Sequence, residues 1–306
     1  MVKIEVLNIL KSCTEDINIF KDEPMANHTS FRIGGVADYF VTPSGCDEVV
    51  KLVKALKEAG EQFIVIGNGS NLLVSDKGYR GVVISISKKM SEITVCKDVL
   101  NVEAGALLSR ISSVALKHSL AGFEFASGIP GCLGGAVVMN AGAYGGEIKD
   151  VVIETTYVSC NGEVKTVKGE EHNFGYRRSC FKEGDVILSS KIKLKEGNAE
   201  EIKALCEELN GKRKDKQPLE YPSAGSTFKR PEGYFAAKLI DDAGLRGFKV
   251  GGAMVSEKHC GFVINYNHAT SEDVFNLMKE VKRIVFEKYG VTLEPEVRFI
   301  GEFPKF

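Results

Sequence analysis

Residues 127–147 read Ser-Gly-Ile-Pro-Gly-Cys-Leu-Gly-Gly-Ala-Val-Val-Met-Asn-Ala-Gly-Ala-Tyr-Gly-Gly-Glu, and seven of the chain's 32 glycines fall among these 21 residues. Glycine loses more backbone entropy on folding than any other residue, so this density weakens the stretch as a generic core element. What it permits is close approach of backbone to a flat or anionic group, with N–H groups free to donate. Composition excludes a flexible linker. Linkers are rich in Gly and Ser and lack a buried-type run such as Ala136-Val137-Val138-Met139. The stretch reads as a ligand-contacting segment.

Upstream, Phe63-Ile64-Val65-Ile66 is a short buried strand that runs directly into Gly67-Asn68-Gly69-Ser70-Asn71. A strand ending this way collects successive N–H groups and a hydroxyl at one point, a nest suited to a pyrophosphate. Leu72 stands where the dinucleotide-binding fingerprint needs its third glycine, and a Walker A sequence is absent, so a doubly wound dinucleotide fold is disfavoured. Alone, the loop is an ordinary tight turn. Paired with 127–147, it implies a large cofactor with an anionic middle and an aromatic end, its ring lying against Ile129-Pro130-Gly131 and Met139–Gly142.

At 306 residues the chain has room for about two domains. It is 43% apolar and 26% charged, as packed globular proteins are. Its 40 basic and 41 acidic side chains give a net charge of −1, which argues against general nucleic-acid binding. The eight cysteines form no C-x-x-C pair and no two lie closer than twenty positions, so no metal site is expected. No run approaches the roughly 18 apolar residues of a membrane span, and the N-terminus lacks a signal-peptide pattern. A soluble cytoplasmic protein without an obligatory protein partner is expected.

The coarse pattern mixes strands and helices. Ser44 to Gly60 predicts a helix with Ser44 as its cap, and Leu107–Lys117 a second. Val82–Ile86 and Val99–Glu103 predict strands, and Val151–Ser159 and Val164–Val167 flank the hairpin signal Asn161-Gly162. Asn198–Lys214 and Glu272–Tyr289 predict helices, the latter stopped by Gly290, and Val291–Ile300 a final strand.

Motifs in a fixed order complete the reading: His28-Thr29-Ser30-Phe31-Arg32-Ile33-Gly34-Gly35, Gly67-Asn68-Gly69-Ser70-Asn71-Leu72-Leu73, Gly128-Ile129-Pro130-Gly131 and Asn140-Ala141-Gly142-Ala143-Tyr144-Gly145. In this order they closely resemble the UDP-N-acetylenolpyruvoylglucosamine reductase family (the UDP-N-acetylmuramate dehydrogenases), in its shorter branch, from about His28 to Gly301. The resemblance implies an α+β chain: a two-lobed FAD-binding domain of the vanillyl-alcohol-oxidase type over residues 1–199, then a smaller α+β substrate domain over 200–306. The terminal strand then returns Glu296 to the site. The cofactors implied are FAD and NADPH, and the substrate a UDP-sugar enolpyruvyl ether. With no histidine in 63–75 or 127–147, the FAD is expected to be non-covalent.

Carried over residue by residue, the resemblance gives Gly67, Asn68, Gly69, Ser70, Asn71, Gly128, Ile129, Pro130, Gly131, Gly134, Asn140, Ala141 and Gly142 to the cofactor. It gives the chemistry to Arg177 in Tyr176-Arg177-Arg178-Ser179, to Ser226 in Ala224-Gly225-Ser226-Thr227-Phe228-Lys229, and to Glu296 in Leu293-Glu294-Pro295-Glu296-Val297-Arg298. Reducing an enolpyruvyl double bond needs a hydride at one carbon and a proton at the other. Arg177 is implied to hold the carboxylate, Ser226 to give the proton, and Glu296 to assist the enolic intermediate. Lys229, Arg230, Tyr234, Lys238, His259 and Asn265 are implied to line the substrate, with Arg230 departing from the common Phe-Lys-Asn-Pro pattern. Without the resemblance, Arg177-Arg178 is a basic surface turn, Ser226 a turn residue, and both glutamates face water. The glycine loops alone also fit an FAD-dependent oxidase of a small hydroxy acid or alcohol, or a non-catalytic nucleotide-binding module.

Overall fold

Leu100 and Val102 in Val99–Glu103, and Val186, Leu188 and Ile192 in Val186–Lys193, stand at alternate positions and give each strand a face to bury. Val152–Val158 buries Val152, Thr155 and Val158 across two register shifts. These strands pair antiparallel in a five-stranded sheet ordered 164–168, 152–158, 186–193, 99–103, 93–96. The computed structural model describes residues 3–306. The sheet belongs to the first of two compact units, made of residues up to Lys21, Tyr39–Asn68 and Gly81–Lys212. In the same unit Phe63–Ile66 runs parallel to residues 82–85 within a four-stranded sheet. The helix Cys46–Glu58 buries Val49, Leu52, Val53 and Leu56, the apolar stripe its periodicity foretold. Its cap differs from expectation. Gly45 occupies that position, and the Ser44 hydroxyl instead accepts from the Nδ2 of buried Asn18 at 3.1 Å. The buried amide requires a partner, and Ser44 supplies one.

The second unit gathers Asp22–Asp38, Gly69–Arg80 and Arg213–Phe306. Its core forms where the helix Ser271–Tyr289 lays Val274, Leu277, Met278, Val281 and Val285 against Ala253, Val255 and Val263. Those last three come from an antiparallel sheet of Lys249–Val250, Ala253–Val255 and Val263–Asn265. Gly290, at φ 68°, ends the helix as its sequence predicts. The final strand is shorter than expected. Only Arg298–Ile300 pairs, in parallel with Leu72–Val74, while Pro295, with no N–H to donate, makes a single bridge to Phe228. Among the described residues no helix is long and apolar enough to cross a membrane, and no cluster of three metal-ligating side chains occurs.

The start of the Ser271 helix is held by a residue far away in sequence. The Asp76 carboxylate accepts from the Ser271 N–H at 2.9 Å and hydroxyl at 2.7 Å, and the Asp76 N–H donates back to that hydroxyl at 2.9 Å. A carboxylate there satisfies orphan donors and meets the positive end of the helix dipole. Asp76→Ala is expected to lower unfolding free energy by about 1–2 kcal/mol in urea titration, with Asp76→Asn intermediate.

Candidate active site

In the first unit the two glycine loops meet. The Asn68 side chain donates to the Pro130 carbonyl at 3.3 Å, and a Cβ on Gly67 would lie 2.2 Å from Cys132 Sγ. A side chain there would have to displace that sulfur. The rest of the 127–147 segment differs from expectation in one respect. Its N–H groups are largely occupied within the protein: Ile129 on Ala126, Gly131 on Ile129, Gly134 on Ala104 and Ala141 on Ala136. Its glycines therefore serve close packing more than anion donation. A Cβ on Gly134 would press Ala104 Cβ at 3.1 Å, and one on Gly146 would strike the Phe125 ring at 2.7 Å. Asn140, assigned to the cofactor from sequence, is fully enclosed and supports the segment from behind. Gly128, Ile129, Pro130, Gly131 and Gly142 keep partial exposure and form a wall.

Past Asn140 the segment doubles back as a hairpin, Gly142–Ala143 against Gly146–Glu147. Its tip residues Tyr144 and Gly145 have φ of 54° and 89°, the conformation of a two-residue type I′ turn. The hairpin, Lys149, Asp150, Tyr176 and Arg177 line a cleft of about 410 Å³. Arg177 sits at the second central position of a turn closed by mutual hydrogen bonds between Gly175 and Arg178, with φ 55°. Its guanidinium lies 5.1 Å from the Tyr176 ring centroid. Glu147 faces the same cleft. The Lys149 ammonium at 2.6 Å, followed by the Asn140 amide and the charge of Arg177, holds its carboxyl below the usual range against the opposing effect of burial. The cleft is thus a mixed cationic and anionic pocket with a partly exposed arginine.

In the second unit the serine loop and the glutamate segment are neighbours. Gly225, at φ 76°, turns the chain so that Ser226 is exposed while Thr227 and Phe228 are buried. The Glu296 N–H donates to the Thr227 carbonyl at 2.9 Å, and the Lys229 N–H to that of Glu294 at 2.8 Å. Asn71 Nδ2 donates to the Glu296 carbonyl at 3.0 Å, and Ser30 Oγ to that of Ser223 at 2.6 Å. Gly69, whose Cβ would lie 1.9 Å from the His28 carbonyl, is needed for the same close fit.

The expected substrate residues of this unit separate into two kinds. Lys229 pairs with Glu294 at 3.2 Å, Lys238 pairs with Asp242, and the Arg230 guanidinium stacks 3.8 Å from the Phe235 centroid, leaving that ring and Tyr234 exposed. Asn265 and His259 are tied inward. Asn265 bridges the Phe31 carbonyl and the Ala269 N–H, and His259 Nδ1 accepts from the Gly261 N–H while burial pushes its pKa down.

Comparison with known proteins bears on this arrangement. The family model for the C-terminal domain of UDP-N-acetylenolpyruvoylglucosamine reductase matches residues 217–300, and the FAD binding domain model matches 37–168. The UDP-N-acetylenolpyruvoylglucosamine reductase of Agathobacter rectalis is 53% identical, the match covering 96% of this chain and 98% of that protein. That of Clostridioides difficile is 47% identical, covering 98% of each. The chain belongs to the UDP-N-acetylenolpyruvoylglucosamine reductase family.

The crystal structure of the Thermus caldophilus reductase superposes with a TM-score of 0.78 at 35% identity, over 91% of this chain and 98% of that one. A Phl p 4 variant described as a glucose oxidase shares the fold alone, at a TM-score of 0.52 and 14% identity. The chain is thus an FAD-containing oxidoreductase that uses NADPH, on an α+β fold of the expected type. The wall at 128–131 fits such a group, since its backbone keeps exposed surface on which a flat ring can lie. Tyr144, Glu147 and Lys149 are not among the site residues the sequence suggests, although Gly145-Gly146 is a readable turn signal.

Gly67 has no left-handed backbone requirement, so only the sulfur of Cys132 opposes an alanine there. Gly67→Ala is expected to lower stability by about 1–3 kcal/mol and to weaken FAD retention. In the Cys132→Ala background the nearest remaining atom is the Cβ at 3.9 Å, and most of the loss is expected to vanish in urea titrations of both variants.

Proposed function

We propose that this chain reduces the enolpyruvyl double bond of UDP-N-acetyl-3-O-(1-carboxyvinyl)-glucosamine to give UDP-N-acetylmuramate, in the cytoplasmic synthesis of peptidoglycan precursors. The observation that carries this reading is the pairing of the serine loop with the Glu296 segment, Glu296 N–H to Thr227 carbonyl, in a chain of this family. In this reading residues 1–199 hold the flavin and 200–306 the sugar nucleotide. Gly67–Asn71 and Gly128–Gly131, with Gly134, Ala141 and Gly142, hold FAD without a covalent bond. Bound FAD, reduced by NADPH, supplies the hydride.

Arg177 holds the substrate carboxylate. Its charge is permanent and its planar fork matches a carboxylate, so it also stabilises the negative charge that develops as the double bond is reduced. Ser226 delivers the proton. A hydroxyl is a weak acid in water, yet it suffices for an acceptor as basic as an enolic carbon held in hydrogen-bond reach. Exposure of Ser226 at the loop surface leaves it accessible to a ligand. Glu296, with its backbone fixed at both N–H and carbonyl, presents its side chain to the enolic group. Arg230 on the Phe235 ring, together with Tyr234, offers cation and aromatic surface to the nucleotide.

Anaerobic spectroscopy tests the reading. NADPH is expected to bleach the flavin band, and the UDP-enolpyruvyl sugar to restore it without oxygen. Ser226→Ala is expected to bleach normally and recover roughly 10²–10⁴-fold more slowly. Bleaching of the unaltered protein with no recovery on adding the sugar would refute the assignment.

A further inference from the structure

Arg177 is held in a conformation that side chains rarely adopt, at φ 55°, so the surrounding structure must over-determine it. The turn's own backbone bonds join Gly175 to Arg178 and the Cys180 N–H to the His172 carbonyl at 2.7 Å. Two further bonds tie it to the glycine segment. Asn140 Nδ2 donates to the Gly175 carbonyl at 3.1 Å, and Ser179 Oγ donates to the Val138 carbonyl at 2.8 Å. These flank Arg177 on either side.

Asn140 is the more informative of the two. It has no exposed surface, and its own backbone is left-handed at φ 42°. Its amide also donates to Glu147 Oε2 at 3.1 Å, and its Oδ1 accepts from the Lys149 N–H at 2.9 Å. Three of the four hydrogen-bonding positions of this side chain are therefore occupied inside the protein. A group so enclosed touches no substrate. What it does touch is the carbonyl two residues before Arg177 and the two charged residues that share the cleft with it.

We propose that Asn140 is a positioning residue for Arg177: one buried amide locks the turn, Glu147 and Lys149 into a single arrangement, with Ser179 as its second tie. The inference rests on the role given to Arg177 above. Replacing the amide with an isosteric carboxylate turns both donor contacts into acceptor–acceptor contacts, so Asn140→Asp displaces the turn without changing its volume.

The test is a double-mutant cycle on the flavin-loaded protein, with rates expressed per bound flavin. Asn140→Asp is expected to lower kcat on the UDP-enolpyruvyl sugar roughly ten- to a hundredfold, and Ser179→Ala several-fold. In an Arg177→Lys background either change is expected to cost less than about threefold, because the geometry it serves has already been lost. Calorimetry gives a readout independent of turnover. Asn140→Asp is expected to weaken UDP-N-acetylmuramate and leave UDP-N-acetylglucosamine, which lacks the carboxylate, unchanged. If Asn140→Asp fails to fold, Ser179→Ala carries the same cycle. Losses that multiply in the double variants, or equal weakening of both nucleotides, would overturn the positioning role while leaving Arg177 in place. Full turnover by Arg177→Lys would overturn the role of Arg177 and this inference with it.

Discussion

Glycine backbone packed against neighbouring side chains, at distances that leave no room for a Cβ, is the constraint on which the first unit's site depends. At Gly67 a single added carbon would meet Cys132 Sγ at 2.2 Å, and at Gly146 it would meet the Phe125 ring at 2.7 Å. The entropy that glycine loses on folding is the cost of this closeness. Because the loop after Phe63–Ile66 and the 127–147 segment are fitted this closely, Asn68 reaches the Pro130 carbonyl and the wall formed by 128–131 has a defined place.

The same economy of atoms governs the cleft. The type I′ tip at Tyr144-Gly145 folds the segment back, which brings Glu147 to Asn140 and Lys149 to Glu147. A carboxylate held between an ammonium and an amide stays ionised to lower pH than a free glutamate. Its negative charge balances the basic charge of Lys149 and Arg177 in the cleft.

Local physics was legible in the residues, and long-range partnership was not. The helices at 46–58 and 271–289 follow from apolar periodicity, and Phe63–Ile66 and Val99–Glu103 from short β-branched or apolar runs bounded by turn signals. Ser44 misled because its hydroxyl serves buried Asn18, a partner 26 residues away, in place of its own helix. The last strand shrank to Arg298–Ile300 because its partner Leu72–Val74 is only three residues long and Pro295 breaks the ladder. The expectation of free N–H groups across 127–147 failed for a related reason. Composition reveals that a backbone can come close, but not whether its donors already have carbonyl partners such as Ala104 and Ala126. The site residues were reached through motif order, since neither the exposure of Ser226 nor the left-handed turn at Arg177 leaves a periodic trace.

That Ser226 and Glu296, the proposed proton donor and acid, come from segments about 70 positions apart raises the question of what keeps them in register. The answer lies in backbone bonds around the side chains that would react. Thr227, next to Ser226, is buried with its N–H on Gly261, its hydroxyl accepting from Val263 N–H, and its carbonyl accepting from Glu296 N–H. Every polar group of this one residue is therefore engaged, and each bond fixes a different neighbour. Asn71, at the end of the first glycine loop, takes the other side of Glu296 through its carbonyl. Asn71, the last residue of the loop read first as a phosphate nest, thus has a duty inside the second unit: its side chain fixes the backbone of Glu296. On the proposed reading a substitution at Asn71 acts on both cofactor binding and the place of Glu296, and flavin content measured beside the rate separates the two.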